Sequence, residues 1–390
     1  MNSTRFSGVA DAAYDGRYHN LAQTPNFRDG RHEMWSHAML AVVGVGLLGF
    51  RVAEEAVVSG AQVLVFDPDI GELANLGTQR CRAGMPKAQT LVEQCDAIRP
   101  GRARAFACDV RHAGIRPLLE CDLWLDCTDD PALAWPLTVL SNGLRKPLLR
   151  CAVDGSGQSE LGRVLCSSGG TGHACQLCFY AVPDGLRRPH RTPCLGQHRD
   201  GRPPTLAGGA IGAGIAGLAL SLGQRLVTGN DAESVLDHEF ILDWTTYQFI
   251  RLRLPRSGRC LSGHQAWQWL DTDVSVHDGT LRDLFGAAQQ QLSTAPQAIA
   301  VHFLPLNLQA YCSCGSVREA VGTARATAPL CPSCGRPMQW LEQTRIESVR
   351  LDQAYDLGLL DRSLDSLGIP AGALIAATAP DRSAVRMLLP

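Results

Sequence analysis

The sequence predicts an α/β protein: a doubly wound, Rossmann-like, mostly parallel sheet with a structural zinc site, plus a small C-terminal zinc-ribbon module. Three observations carry that expectation. An apolar run, a glycine loop, a helical run and a second apolar run follow one another between Met39 and Asp67. The alternation of strand-like and helix-like segments continues to Val153. Beyond it, cysteine pairs recur at the spacing of metal ligands.

The first unit reads MLAVV, the loop Gly44-Val45-Gly46-Leu47-Leu48-Gly49, RVAEEAVVSG and AQVLVFD. Glycines permit a tight turn and close backbone approach, and a helix N-terminus offers unpaired N–H groups and a positive dipole end to a phosphate. Together they make a βαβ nucleotide-binding unit. PKAQTLVEQCDAI then reads as a helix, RAFACDV and CDLWLDC as strands, and a helix from about Pro131 precedes the strand PLLRCAV. Strands alternating with helices argue for parallel pairing. After Cys151 the texture changes to Gly/Ser-rich turns, a basic loop from Arg187 to Arg202, a glycine-rich apolar helix from Leu206 to Leu222, and the strand-like EFILDW and YQFIRLRL. Leu206 to Leu222 carries no charge, but its five glycines, Gly208 and Gly212 among them, favour a helix packed closely inside protein over a membrane span. A cysteine-bearing module covers about Leu304 to Leu341, and the C-terminus reads as one helix near Leu351 to Leu367 followed by LGIPAGALIAAT.

A chain of 390 residues with 45% apolar content can hold two or three domains with a full core. A formal charge of -2 gives no global electrostatic case for nucleic acid or an acidic membrane surface. The N-terminal MNSTRFSGVADAAYDG lacks a basic-then-apolar leader pattern, so the fifteen cysteines are expected in a reducing, cytoplasmic setting. Metal ligation or thiol chemistry is then the expectation, rather than disulfides.

Asp67 closes the second strand where a ribose-binding acid would lie, which by itself fits a nicotinamide-dependent dehydrogenase. Hydride transfer leaves the following residues unexplained: Asp69, Asn75, Gly84-Met85-Pro86-Lys87, and Leu125-Asp126-Cys127-Thr128-Asp129-Asp130 at the end of a later strand. A carboxylate attacking the α-phosphorus of ATP needs the triphosphate charge neutralised by a lysine and Mg²⁺, and Mg²⁺ needs a hard oxygen ligand such as Asp129. The plainer alternative makes Asp129 the cap of the next helix and Lys87 a solvated first-turn lysine.

Cys175-Gln-Leu-Cys178 and Cys260-Leu-Ser-Gly-His264 offer three sulfurs and an imidazole for one tetrahedral Zn²⁺. A second set, Cys312-Ser-Cys314-Gly and Cys331-Pro-Ser-Cys334-Gly, has the signature of a zinc ribbon, with a redox pair as the competing reading. Cysteines 81, 95, 108, 121, 127, 151 and 166 read as small buried hydrophobes.

Taken together, Arg17-Tyr18-His19-Asn20, the glycine loop, Asp67-Pro68-Asp69, Asn75-Leu-Gly-Thr-Gln79, Gly84-Met85-Pro86-Lys87, the Asp129 strand end and the paired metal motifs resemble the ubiquitin-activating enzyme superfamily. The likeness is to its compact bacterial form, the ThiF, MoeB and HesA type adenylyltransferases, and it runs from Arg17 to about His264. It implies that Gly44, Gly46, Gly49, Asp67, Asp69, Asn75, Gln79 and Lys87 contact ATP and that Asp129 binds Mg²⁺. The family carries phosphate-contacting arginines where Asn20 and Thr78 stand here, the first reaching over from a partner subunit. Arg17, Arg80 or Arg82 are the substitutes this chain offers. The zinc of the first set is typical of the family with four cysteines, which makes His264 a ligand exchange. The added ribbon looks like stand-alone bacterial enzymes that activate ubiquitin-like modifiers.

The resemblance also places a cysteine that attacks the acyl-adenylate in the crossover loop between the first zinc pair and the glycine-rich helix, at 183–205 here, where Cys194 stands in HRTPCLG. Arg187, Arg188, His190, Arg191, His198 and Arg199 would favour its thiolate, while a solvated basic loop is the plain alternative. The expected layout is an N-terminal arm at 1–38, an ATP-binding adenylation domain at 39–300, a zinc ribbon at 301–345, and a C-terminal helix and tail at 346–390. The expected activity is adenylation of the C-terminal carboxylate of a ubiquitin-like protein ending in glycine, then thioester formation on Cys194 and handover to a conjugating enzyme, in a homodimer. Adenylation of a sulfur-carrier protein or a peptide in cofactor or natural-product biosynthesis is the first alternative, and a non-catalytic ATP- or partner-binding module the second. No aromatic residues interleave the basic ones, so nucleic acid is not expected, and neither is a membrane.

Overall fold

The computed structural model describes residues 14–154, 156, 158–179 and 207–390. Cys194 and the crossover loop expected at 183–205 lie outside the described residues. The chain forms two compact units, one of residues 1–109 and 118–266, the other of 110–117 and 267–390.

The first unit opens with the short helices α1 (Tyr14–Arg17) and α2 (Arg31–His37). Then come β1 (Met39–Val43), α3 (Leu47–Val58), β2 (Gln62–Phe66), α4 (Lys87–Ile98), β3 (Ala103–Phe106), α5 (Arg116–Glu120, its first two residues in the second unit), β4 (Leu123–Asp126), α6 (Pro131–Leu144) and β5 (Leu148–Val153). They are followed by β6 (Leu161–Ser167), α7 (Gln176–Phe179), α8 (Gly209–Thr228), β7 (His238–Asp243) and β8 (Gln248–Arg253). The strands form one sheet in the order β3-β2-β1-β4-β5-β6-β7-β8. The block from β3 to β5 is parallel and β6 to β8 pair antiparallel, so the parallel expectation holds for five of the eight strands. The central parallel strands are covered on both faces, which is why β1, β2 and β4 read as unbroken apolar runs and bury almost every residue.

Helix α8 is, among the described residues, the one helix long and apolar enough to cross a membrane. Here its buried residues, Ile211, Ile215, Ala216 and Ala219 among them, join the core cluster under the sheet. A Cβ at Gly212 would stand 2.7 Å from Leu47 Cγ, so glycine at this position sets how closely α8 and α3 pack.

The second unit contains β9 (Leu270–Asp271), α9 (Leu281–Gln289), β10 (Ala298–Val301), β11 (Asn307–Tyr311), β12 (Val317–Gly322), β13 (Gln339–Trp340), β14 (Val349–Arg350), α10 (Leu351–Asp356), β15 (Leu374–Thr378) and β16 (Ala384–Leu388). A five-stranded sheet runs β14-β10-β15-β16-β9, and the ribbon is a three-stranded sheet, β12-β11-β13. Residues 267–300, expected with the nucleotide domain, supply β9, α9 and β10 to this unit, since Leu281, Leu284, Phe285 and Ile299 bury their side chains in its core. The helix expected over 351–367 stops at Asp356, where Gly358 at φ 64° donates its N–H to the Tyr355 carbonyl and ends the turn. The tail expected after it is the hairpin β15–β16.

Candidate active site

The nucleotide motifs gather at the carboxyl edge of the parallel block, where β1, β2 and β4 each run into a loop. The three loop glycines do different work. Gly44, at φ 87°, lies so close to the turn after β4 that a Cβ would stand 2.9 Å from Thr128 Cγ2. A Cβ on Gly49 would stand 1.8 Å from the Gly44 carbonyl oxygen, so α3 begins directly on the loop. At Gly46 no described atom lies within 4 Å of a Cβ position, which leaves an open cradle. Gly46 is also the N-cap of α3 and provides no side-chain cap, so the first-turn N–H groups keep the donors that a phosphate takes.

Asp67, only 5% exposed, ties β2 to this loop. Its Oδ2 accepts the Val45 N–H at 2.5 Å and its Oδ1 the Asp69 N–H at 2.7 Å. Burial holds the carboxyl above the usual carboxylate range even with those two amide donors. Lys87, the first residue of α4, is 2% exposed, with Nζ 3.3 Å from Asp69 Oδ2. It is therefore not the solvated lysine of the plainer reading, since a buried ammonium requires a partner. The segment between Asn75 and Lys87 closes tightly: Gly71 N–H donates to the Met85 carbonyl at 2.8 Å and Gly84 N–H to the Gly71 carbonyl at 2.9 Å.

Asn75 is buried, with Oδ1 accepting the Glu72 N–H at 2.9 Å, so it braces the turn beside Asp69. Gln79 is 8% exposed, and its Oε1 has no partner among the described residues. A buried acceptor of that kind and an open glycine cradle fit a ligand that brings its own donors and a phosphate. After β4, Asp126 Oδ1 accepts the Thr128 N–H at 3.1 Å and its hydroxyl at 2.7 Å, forming a turn that leaves Asp129 exposed. Asp130, not Asp129, caps α6, accepting the Ala132 N–H at 2.9 Å. Sequence reasoning singled out this strand end but gave no role to Asp126, Thr128 or Asp130, although Asp-Cys-Thr there is the pattern of a side chain bonding its own backbone two residues on.

The substitute arginines turn elsewhere. Arg80 pairs with Glu54 of α3 at 2.7 Å, and Arg82 with Glu93 of α4 at 2.6 Å. Arg17 donates to the carbonyl of Ile98, the last residue of α4, roughly 16 Å along that helix from Lys87. Nearer carboxylates and carbonyls take all three.

Both metal sets assemble. Cys175 Sγ lies 4.0 Å from Cys178 Sγ, 3.5 Å from Cys260 Sγ and 3.7 Å from His264 Nε2, and Cys178 Sγ lies 3.0 Å from that nitrogen. In the ribbon, Cys312 and Cys334 sulfurs are 3.5 Å apart, as are those of Cys314 and Cys331. A tetrahedron with Zn–S near 2.3 Å has edges of about 3.7 Å, so these donor sets could hold zinc. Gly315 at φ 91° and Gly335 at φ 69° make the two knuckle turns of the ribbon. The remaining described cysteines are buried except the half-buried Cys108, and burial pushes the Cys95 thiol up to about 12, outside the reactive range.

A model of the ThiF family matches residues 18–304, well over half of the chain. The chain belongs to the ThiF family. Among curated protein sequences none matches it. Of solved structures it is similar to E. coli MccB with MccA-N7isoASN, at TM-score 0.54 and 14% identity over 68% of this chain and 76% of that one. E. coli MccB with ATP follows at TM-score 0.52 and 13% identity, over 66% and 75%. The microcin C7 biosynthetic enzyme MccB in complex with N-formylated MccA gives TM-score 0.51 and 15% identity, over 60% and 69%. At such identities the likeness is one of fold, and it is the fold of ThiF-type adenylyltransferases. The ThiF match ends before the ribbon cysteines at 312 to 334, which are an addition to the matched domain.

Proposed function

We propose that this protein uses Mg-ATP to adenylate the C-terminal carboxylate of a peptide or small carrier protein in natural-product or cofactor biosynthesis. One observation carries the reading. Three contacts, Asp67 with Val45, Lys87 with Asp69, and Gly44 with Thr128, join the loops after β1, β2 and β4 around an uncapped helix N-terminus. ThiF membership supports it, and the similar structures carry names that speak of ATP, of MccA and of microcin C7 biosynthesis.

In the reaction a carboxylate oxygen bonds to the α-phosphorus as the bond from that phosphorus to the β-phosphate oxygen breaks. Pyrophosphate leaves with the electron pair, and no proton moves because the carboxylate is already ionised. The α3 amides and Lys87 take up phosphate charge, Asp67 accepts from the ribose hydroxyls, and Asp129 supplies a hard oxygen ligand for Mg²⁺. Mg²⁺, when bound, neutralises the triphosphate. The test is ATP–pyrophosphate exchange with peptides that differ only at the C-terminus. Exchange with the free carboxylate and none with the amide is the expected result; exchange with neither would leave an ATP- or partner-binding module.

The ribbon beyond the matched domain favours a second reading, in which the acyl donor is a ubiquitin-like protein ending in glycine and Cys194 takes the acyl group as a thioester for a conjugating enzyme. Intact mass after Mg-ATP and such a partner separates the two. A thiol-labile adduct on the wild type and none on Cys194→Ala supports the second; AMP formation without an adduct removes it.

A further inference from the structure

Arg17, Arg80 and Arg82 are engaged elsewhere, and among the described residues α3 carries another arginine on the phosphate side. Arg51 is the fifth residue of α3, and helical side chains lean toward the N-terminus of their own helix, so it reaches back over the first turn. Its Nη2 stands against the first residue of α8, 3.2 Å from where a Cβ on Gly209 would be. The first turns of α3 and α8 are packed together at Gly212 and Leu47, which sets this guanidinium beside two helix N-termini, neither with a side-chain cap.

That is an unfavourable place for a cation, because both helix ends present positive partial charge. Among the described residues Arg51 has no ion pair or hydrogen bond to offset it, and its Nε is buried without a partner. Glu160 also lies near this end of α8, with Oε1 3.5 Å from where a Cβ on Gly208 would be, and among the described residues it forms no ion pair with Arg51. An anion between the two helix ends would satisfy all three groups at once.

We propose that Arg51 is the phosphate-side cation of this site, binding the β- and γ-phosphates of ATP in place of the arginines that Asn20 and Thr78 replace. The assignment rests on the ATP reading above. In this role Arg51 neutralises the leaving pyrophosphate, while Lys87 and Asp67 serve the rest of the nucleotide. Gly209 is then glycine because any side chain there would crowd the guanidinium.

The test compares binding of ATP and AMP to the full chain with Mg²⁺ present. Arg51→Gln is expected to weaken ATP about tenfold to a hundredfold, the effect of losing a charge-assisted hydrogen bond, and to leave AMP within about twofold. Arg51→Lys should recover part of the ATP affinity, and Gly209→Ala, which leaves the charge but crowds Nη2, should weaken ATP selectively. Equal loss for ATP and AMP, or no loss for either, overturns the role, as does a Glu160→Gln variant that is destabilised to the same extent as Arg51→Gln while both keep ATP affinity. Should Arg51→Gln not fold, the ATP-to-AMP ratio of Arg51→Lys and Gly209→Ala decides. A wild-type protein that binds neither nucleotide overturns the ATP reading itself; one that binds ATP as well as Arg51→Gln does overturns Arg51 alone.

Discussion

Two glycines of one loop separate folding from binding. Gly46→Ala adds a Cβ to open space at ordinary φ, so the variant should fold with the stability of the wild type and lose ATP affinity. Gly49→Ala drives a Cβ into the Gly44 carbonyl and should destabilise the unit by about 2 kcal/mol or more, as backbone strain and overpacking do. Urea unfolding and ATP titration of the two variants check the contrast. Asp129→Asn should lower ATP–pyrophosphate exchange by about a hundredfold or more without changing stability, because the cap of α6 belongs to Asp130. In the second unit, His302 stacks on Trp267 at 4.7 Å, and burial, then the charge of Arg386, lowers its imidazole to about 4. Its folded-state value lies below the unfolded one, so the unfolded chain takes up a proton that the folded chain refuses between pH 6.5 and about 4, and stability is lost as pH falls through that window. His302→Phe keeps the stack and should shrink the difference in unfolding free energy between pH 7 and pH 4.5 by about 2 kcal/mol.

At the scale of elements, the α3–α8 contact is where a sequence feature that suggested a membrane turns into packing. Gly212 meets Leu47 and Gly223 meets Leu123, so these two glycines are on faces that other elements touch. Gly212→Val should lower the unfolding free energy of the first unit by about 1–3 kcal/mol, the usual effect of inserting methyl groups into a filled interface, and urea unfolding reads it directly. The knuckles of the ribbon follow the same logic of short range: two residues between cysteines, then a glycine at positive φ, form a ligand turn in one stretch of chain.

For the molecule as a whole, the two donor sets predict two zinc ions per chain, measured by mass spectrometry of the native protein or by chelator titration. Cys331→Ser should remove one equivalent and lower the thermal transition of the second unit, because a small three-stranded sheet depends on its metal for cohesion. The ribbon core itself is small, Ala310, Cys312, Cys331 and Met338, and two of those four belong to the donor set.

Much of the fold was legible because it is written in short-range pattern. The glycine loop, the apolar strands β1, β2 and β4, the helices α4 and α6 and both cysteine motifs depend on residues a few positions apart, where periodicity and ligand spacing are visible in one dimension. Tertiary structure decided what long-range competition decides. It gave the capping role to Asp130 rather than Asp129, because only the actual turn at Thr128 fixes which carboxylate faces the helix. It buried Lys87 against Asp69, and it drew Arg17, Arg80 and Arg82 onto nearer partners while leaving Arg51 beside two helix ends. It also drew residues 267–300 into the second unit, since which sheet an amphipathic helix joins depends on the core it meets and not on its own pattern. The sequence by itself determined the local patterns, a glycine loop between apolar strands, a lysine and a strand-end acid, and two cysteine-rich donor sets; folding in three dimensions determined which charge stands where, because a salt bridge or a cap goes to the partner that distance, not sequence, brings closest.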